Sequence, residues 1–408
     1  MAIVSGPLKR SALDAVCAEA RRFGVSVLYT HSTGFYSSLS LQVAAEFPIV
    51  ETHPDPETTQ DLRLVNPWPE LLAAAARVDN LDSLDDHVHG HVPYVLLILH
   101  FLERWRMAHD GKVPANYKEK SEFRELVRSG ARVNNAEGGE ENFDEAVAAV
   151  LKALNPFTLR GSLREIFEMD ECRNIKVDAA NFWLIASAVK AFYERYGVLP
   201  LPGSLPDMKA QSEDYISLQN VYKAKSKQDL SEVVELVRKL EAQLGRDEAV
   251  PESEIEVFSK NAAHIKVVHG RDIPQVDNTS VSKLVQSHLD SSESLMHIFV
   301  AFQVLDSVVS EIQEGRGQKS FNDNTVWKTQ LDRIAGYMSD VDEDADERIS
   351  QAIEELRRAD GGELHNISAL TGGMVAQEAV KVITRQYVPL DNTCIFDGVH
   401  SRSEMVKL

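Results

Sequence analysis

Three histidines at alternate positions, His87, His89 and His91, follow Asp85 and Asp86 and form the most metal-like cluster of the sequence. Imidazoles at that spacing could converge on zinc if the segment were extended. The segment runs straight into Pro93 and an apolar helical pattern, where Asp and His serve as caps on an approach loop, and that reading is preferred. Asp340, Asp342, Asp344 and Asp346 alternate like a calcium loop. An EF-hand requires Gly at its sixth position and Glu at its twelfth. Counted from Asp340 those positions hold Ala345 and Gln351, and from Asp342 they hold Glu347 and Ile353. Both frames fail, and a solvated acidic loop is expected.

Residues 315–320, GRGQKS, end like a phosphate-binding loop but place Gln318 where a second Gly is needed, and they follow a helical pattern instead of a strand. The chain contains neither a GxGxxG fingerprint nor a GxSxG nucleophile elbow. Lys223, Lys225 and Lys227 read as a solvated helix face rather than an anion site. A cysteine attacks only as a thiolate, stabilised by neighbouring positive charge or a helix N-terminus. Cys17 falls in the apolar stripe of a helix, Cys394 in a strand, and Cys172 follows Asp170 and Glu171, whose charge is expected to raise its pKa. All three read as inert. Their odd number and wide spacing also exclude a disulfide framework or a cysteine-built zinc site. No catalytic, cofactor-binding or metal site is expected in this chain.

The elements around these residues fall into two kinds. Residues 7–23 have helical spacing with Gly24 as a stop, 25–29 are β-rich, a turn follows at Gly34, and 36–43 alternate Ser with Leu like a strand with one buried face. At the other end, 374–386 are read as a helix opened by Gly372-Gly373, and 393–396 as a strand ending at Asp397-Gly398. The middle is mostly helical: 94–105 behind Pro93, 182–196, an a/d stripe from Leu230 to Leu244 too short for a coiled coil, and a core helix through 295–312. Stretches 134–142, 243–254 and 315–324 read as linkers. The expected fold class is α/β: one α/β domain split between the two ends, with a large, mostly α-helical insert between them.

The 408 residues allow about two to four domains, with a composition ordinary for a globular protein. With 43 Lys+Arg against 63 Asp+Glu the net charge is −20, which argues against a nucleic-acid or anionic-membrane partner. The charge is unevenly placed: residues 1–50 hold four basic and three acidic side chains, and 361–408 hold four and five, so the acid lies between. An acidic face could steer basic partners, although solubility is the simpler reading. The N-terminal MAIVSGPLKR has no apolar core of a secretory signal, and the longest uncharged apolar stretch, 92–102, is about half a membrane span. The expected location is cytoplasmic, nuclear or both.

Several long stretches carry a family resemblance: 199–229 (LPLPGSLPDMKAQSEDYISLQNVYKAKSKQD), 61–71 (DLRLVNPWPEL), 111–126 (GKVPANYKEKSEFREL), 140–147 (EENFDEAV) and 365–398, with its Gly-Gly-x-x-Ala-Gln-Glu helix. Together these resemble the regulatory subunits of heterodimeric neddylation-activating enzymes, in the ubiquitin-activating superfamily. The resemblance implies an incomplete, Rossmann-like, catalytically inactive adenylation domain split around an insert that is similar to a catalytic-cysteine domain without its nucleophile. The implied boundaries are 1–55 for the first adenylation-like segment, with its N-terminal half absent, 56–360 for the insert and 361–408 for the return segment. Lacking the earlier strands, the sheet is expected to expose an unpaired edge and an uncovered apolar face, and to be poorly stable alone.

The resemblance further implies a catalytic partner subunit that binds ATP and magnesium, adenylates a ubiquitin-like modifier and takes it up as a thioester, upstream of cullin neddylation. Residues 61–84 and 219–230 resemble the stretches presented to that partner, with Leu62, Leu64, Pro67, Trp68, Leu71, Asn220, Tyr222 and Lys225 as interface candidates. Aromatic and large apolar groups dominate interface energetics. The same groups also fill cores, and both readings of Trp68 and Tyr222 stand at this point. Two alternatives are a truncated binding or scaffold protein that does not support activation, and the equivalent subunit for another modifier such as SUMO.

Overall fold

A computed structural model describes residues 1–55, 61–78, 80–132, 139–314, 320–321, 323–338 and 341–408. The chain forms two compact units: residues 1–51 with 267–408, and residues 52–266. The first unit opens with β1 (Ala2–Ser5), α1 (Arg10–Arg22), β2 (Val27–Thr33), β3 (Tyr36–Gln42) and β4 (Glu46–Val50). The helical unit runs through α2 (Pro69–Ala75), α3 (Asp86–His89), α4 (Tyr94–Ala108), α5 (Tyr117–Arg128) and α6 (Glu141–Ala153). It continues with α7 (Gly161–Glu168), α8 (Asp170–Arg173), α9 (Asn181–Tyr196), α10 (Ser212–Leu244) and α11 (Glu252–Lys260). After β5 (Ile265–His269) the chain adds α12 (Thr279–Leu289), α13 (Met296–Gln313), α14 (Asn324–Ala335), α15 (Glu343–Ala359), α16 (His365–Thr384), β6 (Thr393–Asp397) and β7 (Arg402–Val406).

In the first unit the five-stranded sheet has the order β1-β2-β3-β6-β7, parallel only between β1 and β2. A two-residue turn joins β2 to β3, with Gly34 at φ 55°, a left-handed conformation that glycine adopts without strain. The period-2 alternation of strands divides the core. Leu28, Leu39, Leu41 and Cys394 face α16, which buries Val375, Ala379 and Val382 against them. Val27 and Tyr29 face α1, and Ile395 and Val406 face the cluster built on α13 and α15. Fully burying such a side chain contributes about 1.5–3 kcal/mol.

Helices therefore cover both faces of the sheet, contrary to the expected bare apolar face. The helices at 279–359 were expected in the insert, which was drawn to residue 360. They pack with the sheet instead, because α13 is apolar nearly all round and needs cover on several sides. For the same reason β3 is buried on both faces, Ser37, Ser38 and Ser40 included, where one buried face was expected. Asp306 of α13 fastens the first strands: its carboxylate accepts from the Tyr29 hydroxyl at 2.9 Å and the Leu8 amide at 3.3 Å, and lies 2.9 Å from His31 Nε2. β1 and β7 remain as edge strands.

In the helical unit α4 buries nine side chains, among them Val95, Leu97, Ile98 and Leu102, in one cluster with Leu64, Leu71, Phe123, Phe143 and Tyr222. The stripe at 230–244 is the second half of the 33-residue α10, closed by Gly245 in the left-handed conformation. Asp229, buried in mid-helix, accepts from Leu201 N at 3.0 Å and pairs with Arg63 at 3.1 Å and Lys225 at 3.0 Å. Those partners offset the desolvation of its charge. Among the described residues no helix is long and apolar enough to cross a membrane.

Candidate functional site

The residues with nominal chemistry are placed apart and are put to structural use. Cys17, Cys172 and Cys394 are buried free thiols. Burial pushes Cys17 and Cys172 up to about 11 and raises Cys394 as well, so none is a ready thiolate. The cause expected for Cys172 needs correcting: burial leads, with Lys190 lowering and Glu194 raising, and Asp170 and Glu171 are not the source. His89 turns inward, with Nδ1 2.7 Å from Glu140 Oε1 and its ring stacked on Phe143, whereas His91 Nδ1 lies 2.6 Å from the His87 carbonyl. The His87 and His91 rings come together, centroids 4.3 Å apart, but His89 is not with them, and among the described residues no group of three His, Cys, Asp or Glu is set to hold a metal.

From Asp342 on, the acidic alternation belongs to a helix start. Asp342 caps α15 by accepting from Ala345 N at 2.7 Å, and Glu343, Asp344 and Asp346 occupy the first turn, where carboxylates are favoured by the helix dipole. Asp340 and the glycine-rich segment 315–319 lie outside the described residues, as do residues 134–138 of the expected linker.

The eight interface candidates divide by burial. Leu62, Leu64, Trp68, Leu71 and Tyr222 sit in the core cluster of the helical unit. The Tyr222 hydroxyl donates to the Leu62 carbonyl at 2.8 Å, and its ring meets Trp68 edge-on with centroids 5.0 Å apart. Pro67 and Lys225 are half-buried, and Asn220 is exposed. Of the two readings for Trp68 and Tyr222, this geometry fits the core one.

A different element offers a surface. α16 begins at His365, so Gly372-Gly373 lie inside the helix instead of opening it. Each interior glycine costs a helix about 0.5–1 kcal/mol relative to alanine. Nothing within the chain requires them: a Cβ at either position would meet no atom within 4 Å. While one side of α16 packs on the sheet, the other exposes Ala369, Leu370, Gly372, Gly373, Ala376, Val380 and Ile383, with the polar Gln377 among them. These fall on one face at helical spacing, and no exposed position of α16 is Asp, Glu, Lys or Arg. Leu370, Val380 and Ile383 are 45%, 47% and 69% exposed. On a chain of charge −20, an uncharged apolar face with two uncovered glycines has the character of a docking surface for another backbone. The sequence signal for it was the Gly-Gly pair within a helical period, which was read as a helix start. Glu378 holds the helix in place from below, accepting from Leu390 N at 2.7 Å and Lys381 Nζ at 2.6 Å.

No family model matches the chain. It is 34% identical to the NEDD8-activating enzyme E1 regulatory subunit of Danio rerio, over 97% of this chain and 74% of that protein. The regulatory subunit of Drosophila melanogaster is 32% identical over 100% of this chain and 75% of its own length. That of Xenopus laevis is 30% identical over 100% and 77%.

Proposed function

The chain belongs to the family of the NEDD8-activating enzyme E1 regulatory subunits, and we propose that it acts as the non-catalytic half of a heterodimer. In this reading the catalytic partner binds ATP and magnesium, adenylates the C-terminal glycine of the ubiquitin-like modifier and carries the thioester on its own cysteine. This chain supplies no nucleophile; it packs against the partner and helps to form the cleft that receives the modifier. The sheet with its flanking helices is the Rossmann-like, inactive adenylation domain, and the helical unit is the counterpart of a catalytic-cysteine domain without its cysteine. The complex works in the cytoplasm, the nucleus or both.

The observation that carries the docking part of this reading is the uncharged outer face of α16. A partner helix laid across Gly372 and Gly373 would approach closely and bury Leu370, Val380 and Ile383 at a fixed register. Residues 61–84 and 219–230 provide a second contact, through Pro67, Asn220 and Lys225, with Leu62, Leu64, Trp68, Leu71 and Tyr222 supporting it from the core. The test is co-elution with the catalytic subunit on a sizing column. The variant carrying Val380→Glu and Ile383→Glu should lose the complex, at a cost of at least ~3 kcal/mol for burying two unpaired carboxylates, while its own thermal unfolding is unchanged. Unimpaired co-elution of that variant would remove α16 from the interface.

A further inference from the structure

The three lysines read as a solvated face divide once α10 is folded. Lys225 turns to Asp229, whereas Lys223 and Lys227, four residues apart, line a cavity of about 600 Å³ with Lys260, the last residue of α11. Residues 202–205 close one wall, Gly203 among them at φ 80°, and a Cβ there would run into Ser226. Lys223 Nζ donates to Gln219 at 2.7 Å and Lys260 Nζ to Glu256 at 2.7 Å, leaving Lys227 without an ion pair among the described residues. Among the described residues Glu256 is the single acidic one lining the cavity, so the lysines outnumber it in a chain that is otherwise strongly negative. Its carboxyl is held below the usual range by the hydrogen bond and charge of Lys260, with Lys227 adding to the effect.

A second observation, independent of charge, points to a ligand. Ser259 lines the same cavity and is only 4% exposed, yet its hydroxyl has no hydrogen-bond partner. A buried hydroxyl left unpaired is costly, and a helical serine ordinarily relieves the cost by bonding back to its own helix. Ser259 borders the cavity, and an acceptor entering there would give the hydroxyl the partner it lacks.

We propose that the cavity between α10, α11 and residues 202–205 is a binding site for a small phosphate-type oxyanion, held by Lys223, Lys227 and Lys260 and by a hydrogen bond donated from the Ser259 hydroxyl. The ligand class follows from the donors. Planar carboxylates are recognised by the two-pronged guanidinium of Arg, and among the described residues no Arg lines this cavity. Ammonium groups are rotatable point charges that suit a tetrahedral, multiply charged oxyanion approached from several sides. The volume has room for a ligand of pyrophosphate size. Gln219, Lys223 and Lys227 lie in the stretch proposed above as the second partner contact, but the titration below uses this chain alone and does not depend on either docking role.

Calorimetric titration of the full chain with pyrophosphate at constant ionic strength tests this, with phosphate, sulfate and acetate as competitors. Saturable one-site binding is expected, displaced by phosphate or sulfate and not by acetate. Lys223→Gln combined with Lys227→Gln should weaken it roughly tenfold or more, while Lys239→Gln, exposed on the same helix and outside the cavity, should leave it unchanged. Ser259→Ala should weaken binding several-fold and, without pyrophosphate, raise the urea midpoint, because it removes an unpaired buried hydroxyl. Absence of saturable binding in the millimolar range, equal displacement by acetate, or Lys and Ser variants that bind like the wild type would each overturn the proposal.

Discussion

At Tyr222 the choice between interface anchor and core residue comes down to one hydroxyl. It is wholly buried, donates to the Leu62 carbonyl at 2.8 Å, and burial pushes its phenol far above the ordinary range. A group in that position stabilises the helical unit and has nothing left to offer a partner. Tyr222→Phe is accordingly expected to cost about 1–2 kcal/mol in urea unfolding, the loss of one buried hydrogen bond, and to leave affinity for the catalytic subunit intact; affinity falling in step with stability would return Tyr222 to the interface. The sequence could not decide this. A large apolar residue at helical spacing looks alike whether another helix of the same chain or a partner covers it. The inert thiols were legible, because Cys17 and Cys394 fall in apolar patterns. The electrostatics of Cys172 were not: its acidic sequence neighbours are close along the chain, but the charges it feels are Lys190 and Glu194, a helix away in sequence, and the adjacent Arg173.

Among the elements, long periodic helices were read well. The patterns over 94–105, 182–196 and 295–312 correspond to α4, α9 and α13 within a few residues. Of the five-residue strands β6 was read, bounded by the turn at Asp397-Gly398, but β1, β4, β5 and β7, with four or five residues each, were not: that is too few for a period to register without such a boundary. β7 in addition exposes Arg402 and Ser403 and so lacks the apolar alternation of a half-buried strand. The start of α16 was misplaced because interior glycines normally signal an end or a cap. That exception supplies a test with two opposite readouts. Gly372→Ala and Gly373→Ala should each stabilise the isolated chain by about 0.5–1 kcal/mol, since the added methyls meet open space, and should weaken association with the partner. A gain in stability with unchanged association would leave the glycines unexplained.

The covered sheet changes a second expectation at this scale. A bare apolar face implied a weak domain. With α16 on one side and α1, α13 and α15 on the other, β2, β3 and β6 are expected to show amide protection in hydrogen exchange as strong as that of α4 and α9. Exchange over 27–42 and 393–397 that is fast compared with those helices would restore the earlier view.

For the whole molecule, the two compact units redraw the charge map. Assigned by sequence to a central insert, the acid is in fact shared evenly: residues 1–51 and 267–408 hold 17 basic and 27 acidic side chains, and 52–266 hold 26 and 36, a net of −10 each. The even split favours solubility over an acidic insert that steers partners. It was illegible beforehand because the return crossing at 266–267 depends on which layer the 279–359 helices cover, a tertiary fact. What the long motifs conveyed directly was membership of a family of regulatory subunits, and the uncharged α16 face agrees with a chain that works beside a partner. The most direct test is reconstitution: the catalytic subunit, ATP, magnesium and the modifier, with and without this chain, resolved on a gel without reductant. The account expects a reductant-sensitive modifier adduct on the catalytic subunit that forms only when this chain is added, and none on this chain. Equal adduct without it, or an adduct on Cys17, Cys172 or Cys394, would contradict the account.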